Sequence, residues 1–253
     1  MELNFKTYGS GPPLIILHGL FGMLDNWQTL AKRWQEDFTV YVVDQRNHGK
    51  SPHVNDFSYP LLAEDLLGFL DSQWIFRANF LGHSMGGKTA MKLAMDHDDR
   101  VNKLVVVDMG TEKNTPVHEE IFDSLLTLPI NSLEKRSEAD AHLAKLIENP
   151  GTRQFLMKNL SRNPGGGFRW KMNVESLYEN YAEILAGVEG NNYEGPSLFV
   201  RGGLSNYLPE APAPELLEKF PNANLVTIPE AGHWVHADKP EELFQTVRDF
   251  LLK

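Results

Sequence analysis

Ser84 stands between Gly82 and Gly86 in the stretch N-F-L-G-H-S-M-G-G-K-T-A-M-K-L-A, residues 79–94. A serine hydroxyl acts as a nucleophile when it projects from a tight, strained turn, and side chains at 82 and 86 would crowd the flanking elements. The apolar pair Phe80 and Leu81 ends at Gly82, and Met85, Thr89, Ala90, Leu93 and Ala94 then recur at helical spacing. This is strand, sharp turn and helix with G-x-S-x-G on the turn, a context that a chance Gly-Ser-Gly turn does not supply. The new helix also aims free N–H groups, that of Met85 among them, at negative charge forming beside the hydroxyl.

The elements that must carry this turn alternate. Residues 3–8 read as an edge strand, and 14–17 as a buried strand ending in His18-Gly19-Leu20-Phe21-Gly22. Trp27, Leu30, Ala31 and Trp34 mark a helix. Residues 38–43 form the next strand, followed by Asp44-Gln45-Arg46-Asn47-His48-Gly49-Lys50-Ser51. A helix over 61–70 precedes the serine strand, and a strand over 103–107 ends at Asp108. From 109 to 194 strand character fades. The spacings Ile121-Leu125-Leu128, Leu143-Leu146-Ile147 and Leu177-Tyr181-Ile184 predict several helices, and Asn163-Pro164-Gly165-Gly166-Gly167 a flexible break. Strands over 197–200 and 224–228 then alternate with helices over 214–220 and 240–252. The pattern predicts an α/β fold with a mostly parallel sheet flanked by helices, its core made by residues 1–108 and 195–253 and interrupted by a helical insertion at 109–194. Function then belongs at the carboxyl ends of the strands, where His18, Asp44, Ser84 and Asp108 fall.

Composition narrows the chemistry. A chain of 253 residues, 42% apolar, holds one large α/β domain. A net charge of −10 argues against whole-surface binding to nucleic acid or anionic membranes. With no cysteine there is no disulfide, thiolate nucleophile or Cys-ligated metal, which fits a reducing cytoplasm. The apolar stretch 14–24 is broken by His18, Gly19 and Gly22, lacks a basic leader and makes a poor signal peptide. No run is long enough to span a bilayer. The nine histidines are scattered, without H-x-x-x-H on a helix, so no metal site is expected.

Four motifs in this order resemble the α/β-hydrolase superfamily over essentially the whole chain. H-G-L-F-G resembles its oxyanion loop, G-H-S-M-G its nucleophile elbow and Gly232-His233-Trp234 its histidine loop; D-Q-R-N-H-G-K-S matches its D-x-R-x-x-G-x-S stretch. Within the superfamily the sequence is most similar to bacterial YbfF-type esterases, through H-G-L-F-G, R-N-H-G, G-H-S-M-G-G-K and G-H-W-V-H-A. The resemblance implies that Ser84 is the nucleophile, that His233 takes its proton, and that residues 109–194 form a cap. It implies no cofactor. It further implies an oxyanion hole built from the N–H groups of Met85 and Leu20, with Phe21 as the fallback donor. His236, His83 and His18 read as structural. Asp44 and Arg46 read as an internal ion pair pinning their loop rather than as an acid and an anion clamp.

The triad acid departs from the commonest pattern. The loop after the strand at 197–200, R-G-G-L-S-N-Y-L-P, holds no carboxylate, and Ser205 occupies the expected place. Glu210 and Asp108 are the nearest candidates; because YbfF-type esterases carry the acid at the earlier strand, the resemblance favours Asp108.

The expected substrate is a small acyl ester or an acyl thioester such as acyl-CoA, held by Phe21, Met109, Leu208 and Trp234. Alternatives on the same triad are carbon–carbon bond hydrolysis, a cofactor-free lyase, or a ligand receptor with little turnover. Between Pro150 and Val174 lie Arg153, Lys158, Arg162, Arg169 and Lys171 and no acid, whereas the rest of the chain carries 19 cations against 34 acids. That segment reads either as a solvated surface or as a guide for an anionic substrate, with Arg169 a contact in the second case.

Overall fold

The computed structural model describes residues 1–211 and 213–253. Its strands are β1 (Phe5–Tyr8), β2 (Pro13–Leu17), β3 (Thr39–Val43), β4 (Ala78–His83), β5 (Val101–Val107), β6 (Leu160–Arg162), β7 (Phe168–Trp170), β8 (Ser197–Gly202) and β9 (Ala223–Ile228). The helices are α1 (Gln28–Trp34), α2 (Tyr59–Ser72), α3 (Met85–Asp96), α4 (Glu119–Thr127), α5 (Arg136–Leu143), α6 (Pro150–Met157), α7 (Val174–Glu179), α8 (Tyr181–Leu185), α9 (Pro214–Lys219), α10 (Val235–Asp238) and α11 (Pro240–Leu252). Seven strands form one sheet in the order β1-β3-β2-β4-β5-β8-β9, parallel except for β1 at the edge.

Strands β2, β4 and β5 are almost wholly buried, which is why they read in the sequence as continuous apolar runs rather than alternations. One sheet face packs Ile15, Phe80 and Val106 against α2 and α3; the other packs Ile16, Leu81 and Val105 against α1 and α11. The chain winds from β2 outward to β3 and then returns across β2 to β4, so the winding direction changes between β2 and β4. At that switch point the carboxyl ends of two neighbouring strands open a crevice. The Leu17–Gly22 loop and the Ser84 turn both sit there.

The segment between β5 and β8 holds α4–α8 and, unlike the sequence expectation of helices with mobile joints, the antiparallel ribbon β6–β7. Residues 163–167 are its hairpin turn. Gly167 N–H is not the closing donor; instead Asn163 N–H donates to Gly167 O (3.1 Å), and Asn163 Nδ2 to Phe168 O (3.0 Å). Apolar side chains of this segment, Phe122, Leu156 and Phe168 among them, pack with Phe21, Tyr59 and Met85 above the switch point. Lys88, in the first turns of α3 and fully buried, ties both ends of the segment down. Its ammonium donates to Glu112 O (2.9 Å) on the way in and to Leu185 O (3.3 Å) and Ala186 O (2.6 Å) on the way out. Burial lowers its pKa to about 8. No described helix is long and apolar enough to cross a membrane.

Candidate active site

Ser84 adopts φ 53°, ψ −120°, a region that non-glycine residues rarely enter. The elbow is forced by close packing. A Cβ on Gly82 would lie 2.2 Å from Gly86 O, and one on Gly86 would lie 2.5 Å from His18 O. The hydroxyl therefore projects over the carboxyl edge of the sheet, 8% exposed at the residue level.

His233, on the loop between β9 and α10, meets it. Its Nε2 lies 3.0 Å from Ser84 Oγ and its Nδ1 2.7 Å from Asp108 Oδ2. Asp108 ends β5 and is fully buried, so its carboxylate must be satisfied from within. Gly202 N–H donates to Oδ1 (2.9 Å), and the Ser205 hydroxyl and His233 share Oδ2. With Nδ1 facing a carboxylate, His233 carries its proton there and presents an unprotonated Nε2 to the serine. Glu210 lies exposed on the loop beyond Pro209. Ser205, at the place where the sequence offers no carboxylate, donates its hydroxyl to Asp108. Two residues on, Tyr207 stacks flat on the His233 ring at 3.8 Å and 22°. His83 donates Nε2–H to His233 O (2.8 Å) and steadies the loop from below, while His236 stacks on Trp27 at 4.5 Å. Burial lowers the pKa of His236 to about 3 and holds His83 well below the usual range, so both are neutral supports.

Beside Ser84 lie the backbone N–H groups of Leu20, Phe21 and Met85. Among the described residues those of Leu20 and Met85 have no hydrogen-bond partner, whereas that of Phe21 donates to His48 Nε2 at 3.3 Å. This removes Phe21 as an alternative donor. His18 fixes the start of the loop: Gln45 N–H donates to its Nε2 (3.0 Å), and its Nδ1–H donates to Gly19 O (2.9 Å). Burial lowers the pKa of His18 to about 4 and of His48 to about 3. The arrangement holds a polarised hydroxyl, an acceptor for its proton and donors for an oxyanion within one crevice, the parts that acyl transfer requires.

Two hollows flank Ser84. The larger, about 550 Å³ including the part open to solvent, is lined by Leu20, Phe21, Ile121, Phe155, Leu156 and Trp234; Phe155 and Trp234 face each other at 5.0 Å. The smaller includes Tyr59, Met85, Met109, Ile184 and Tyr207. Phe21, Trp234 and Met109 thus line the space beside the hydroxyl.

Other sequence expectations need correction. Leu208, on the loop after β8, is 1% exposed, packs in the core layer with Met109 and Phe199, and lines neither hollow. Arg169 is exposed on β7 and lines neither hollow. Nor do the other cations of its segment: Arg153 pairs with Asp140 at 3.0 Å, and Arg162 lies on the Phe168 ring at 4.9 Å. Asp44 and Arg46 do not pair. Arg46 reaches sideways to Asp65 on α2 (2.6 Å), while Asp44 turns under its loop to accept from Leu24 N–H (2.7 Å), Lys50 N–H (2.9 Å) and Asn4 Nδ2 (2.6 Å). Gly49 lies over that carboxylate at φ 60°, where a Cβ would fall 2.1 Å from Asp44 Oδ2. The turn so formed delivers His48 to the Phe21 N–H. His48, Ser205, Tyr207 and Lys88 were not singled out in the sequence as parts of a site. The R-N-H-G and G-G-K motifs were a signal for the first and last, and the missing carboxylate after the strand at 197–200 was one for Ser205, whereas nothing local marks Tyr207.

Comparison with known proteins agrees with the fold. The sequence profile of the α/β hydrolase fold family matches residues 12–240. Esterase YbfF of Escherichia coli is 37% identical over 99% of this chain and 99% of its own length. The mouse sn-1-specific diacylglycerol lipase ABHD11 is 39% identical over 95% of this chain and 81% of its length. The solved structure of a marine microorganism esterase superposes with a TM-score of 0.96 at 43% identity, covering 98% of this chain and 99% of that one. The chain belongs to the α/β hydrolase fold family and is an enzyme of its esterase type.

Proposed function

We propose that this enzyme hydrolyses carboxylic esters through an acyl-enzyme on Ser84, with His233 as general base, Asp108 as the acid that orients it, and the N–H groups of Leu20 and Met85 as oxyanion hole. The observation that carries the reading is the unbroken chain from Ser84 Oγ through His233 to Asp108, at 3.0 and 2.7 Å. His233 Nε2 takes the hydroxyl proton as Oγ attacks the carbonyl carbon, and the negative oxygen develops toward the two N–H groups. The tetrahedral intermediate collapses, and the imidazolium returns its proton to the departing alcohol. Water, deprotonated by the same nitrogen, then attacks the acyl carbon, and acid leaves with Ser84 restored. Asp108 keeps Nδ1 protonated throughout and stabilises the transient positive ring.

Residues 109–194 serve in this reading as a cap over a core made of 1–108 and 195–253. The apolar walls of the two hollows, Phe155 and Trp234 on one side and Met109 and Ile184 on the other, suit a hydrocarbon acyl chain and an apolar alcohol. Acyl thioesters such as acyl-CoA fall within the same chemistry, since a thiolate leaves more readily than an alkoxide. The names of the relatives, an esterase and a diacylglycerol lipase, support an ester carbonyl as the group attacked. The test is Ser84→Ala assayed on p-nitrophenyl esters and acyl-CoAs. Turnover should fall by several orders of magnitude and fluorophosphonate labelling should vanish, with folding retained because the glycines set the elbow. Labelling that persists in the variant refutes the reading.

A further inference from the structure

The Leu20 N–H can stabilise an oxyanion only if its loop is held in one conformation, and that loop is strained. Phe21, the next residue, sits at φ 60°, a left-handed conformation that a bulky side chain disfavours. Gly22 N–H closes the turn onto Gly19 O at 2.9 Å, which alone does not compel that φ. Both peptide groups flanking Phe21 are gripped from outside the loop. On the sheet side, Phe21 N–H donates to His48 Nε2, whose tautomer is set by Nδ1–H donating to Arg46 O at 2.9 Å. On the other side, Phe21 O accepts from Asn159 Nδ2 at 2.7 Å.

Asn159 lies between α6 and β6, in the segment inserted between β5 and β8, 138 residues from its partner. It is fully buried and lines neither hollow beside Ser84, so it acts on bound substrate only through the loop. Its own main chain is anchored, N–H to Leu156 O (3.0 Å) and C=O accepting from Lys171 N–H (2.8 Å). Its side-chain Oδ1 is buried without a partner among the described residues. Burying an amide with one end unmet is unfavourable, and packing alone would be served as well by leucine. The donor end is what the site uses.

We infer that Asn159 is a positioning residue through which the inserted segment completes the oxyanion hole. With His48 on one side and Asn159 on the other, the Phe21 backbone is clamped and the Leu20 N–H is aimed. Transition-state stabilisation therefore depends on how the inserted segment is seated over the sheet. The inference rests on the reading of Ser84 as nucleophile.

Asn159→Asp keeps the shape and loses the donor; Asn159→Leu loses all polarity; Asn159→Ser leaves a hydroxyl too short to reach Phe21 O. Removing an oxyanion donor outright typically costs 10²–10³ in kcat, so loosening one should lower kcat on a p-nitrophenyl ester by roughly 10- to 100-fold. KM should stay within about twofold. The affinity for an alkyl boronic acid, which forms a tetrahedral adduct on Ser84 with an oxygen in the hole, should fall in step with kcat/KM. Any one of the three variants that retains a cooperative thermal transition suffices for the measurement, and the serine variant removes the least packing. A folded variant with kcat within twofold of the parent overturns the inference. So does a loss shared by kcat and KM with boronate affinity unchanged, which marks Asn159 as merely structural. Failure of the underlying reading is recognised separately, by fluorophosphonate labelling that survives Ser84→Ala.

Discussion

Replacing Asp108 by Asn tests the proposed acid more sharply than removing it, because the surroundings of the carboxylate leave an amide no satisfactory pose. The backbone is not the issue: residue 108 sits at φ 52°, and Asn tolerates the left-handed region at least as well as Asp. Suppose the amide oxygen keeps the Gly202 N–H, now 2.9 Å from Oδ1. The NH₂ group then faces His233 Nδ1, which must become an acceptor, so the ring proton moves to Nε2 and the nitrogen facing Ser84 can no longer take a proton. In the flipped pose the NH₂ group opposes the Gly202 N–H, leaving donors face to face in a fully buried site. The first pose costs base function; the second keeps the proton on Nδ1 but costs stability, so the first prevails. By analogy with other triads that lose the productive tautomer, kcat should fall by roughly 10³–10⁴, about 4–5.5 kcal/mol of barrier. KM and the thermal midpoint should change little. The assay is steady-state hydrolysis of a p-nitrophenyl ester beside a thermal melt, with Glu210→Gln as the control expected to keep kcat within twofold. Near-full activity in Asp108→Asn together with a dead Glu210→Gln would refute the assignment.

Two further outcomes follow from the electrostatics. His18 and His48 are held far below the ordinary histidine pKa by burial, at about 4 and about 3, so the unfolded chain binds protons there that the folded chain refuses. Their stabilising contribution is complete above about pH 6.5 and is lost as pH falls toward those values, at up to about 1.4 kcal/mol per pH unit for each; a denaturation midpoint that fails to drop between pH 7 and 4.5 contradicts this. Arg169→Glu, on the exposed face of β7, should change kcat/KM by less than about twofold for a neutral ester and for an acyl-CoA alike at physiological salt. A loss confined to the acyl-CoA and relieved by salt would restore the steering role.

What the sequence displayed and what it hid divide along physical lines. Strands β2, β4, β5 and β8 are covered on both faces, so each had to be an apolar run, and the turn residues between them mark where each one stops. The Ser84 elbow was visible because only glycine fits within 3 Å of the opposing backbone. The ribbon β6–β7 was not, since strands of three residues are too short to establish a period and their glycine-rich turn resembles any loop. The partner of Arg46 was hidden for a different reason. An ion pair has no sequence spacing unless both members share an element, and Asp65 lies on α2, whereas Asp44 was merely near in the chain.

The acid illustrates how far a missing residue can be interpreted. The absence of a carboxylate after β8 was plain, but what replaced it depended on register. Strands β5 and β8 are adjacent and parallel, with Val107 opposite Val200, so their carboxyl ends open side by side toward the same histidine. Asp108 N–H bonds Val200 O at 2.7 Å, and its carboxylate receives Gly202 N–H from the neighbouring strand end. The carboxylate at the β5 end reaches Nδ1 of that ring, while the other loop supplies hydrogen bonds instead of charge. The loop after β8 does this through Ser205, and it adds the Tyr207 ring as a lid on His233. Both loops converge on one imidazole, and the motif that looks incomplete in the sequence is distributed over two strand ends in space.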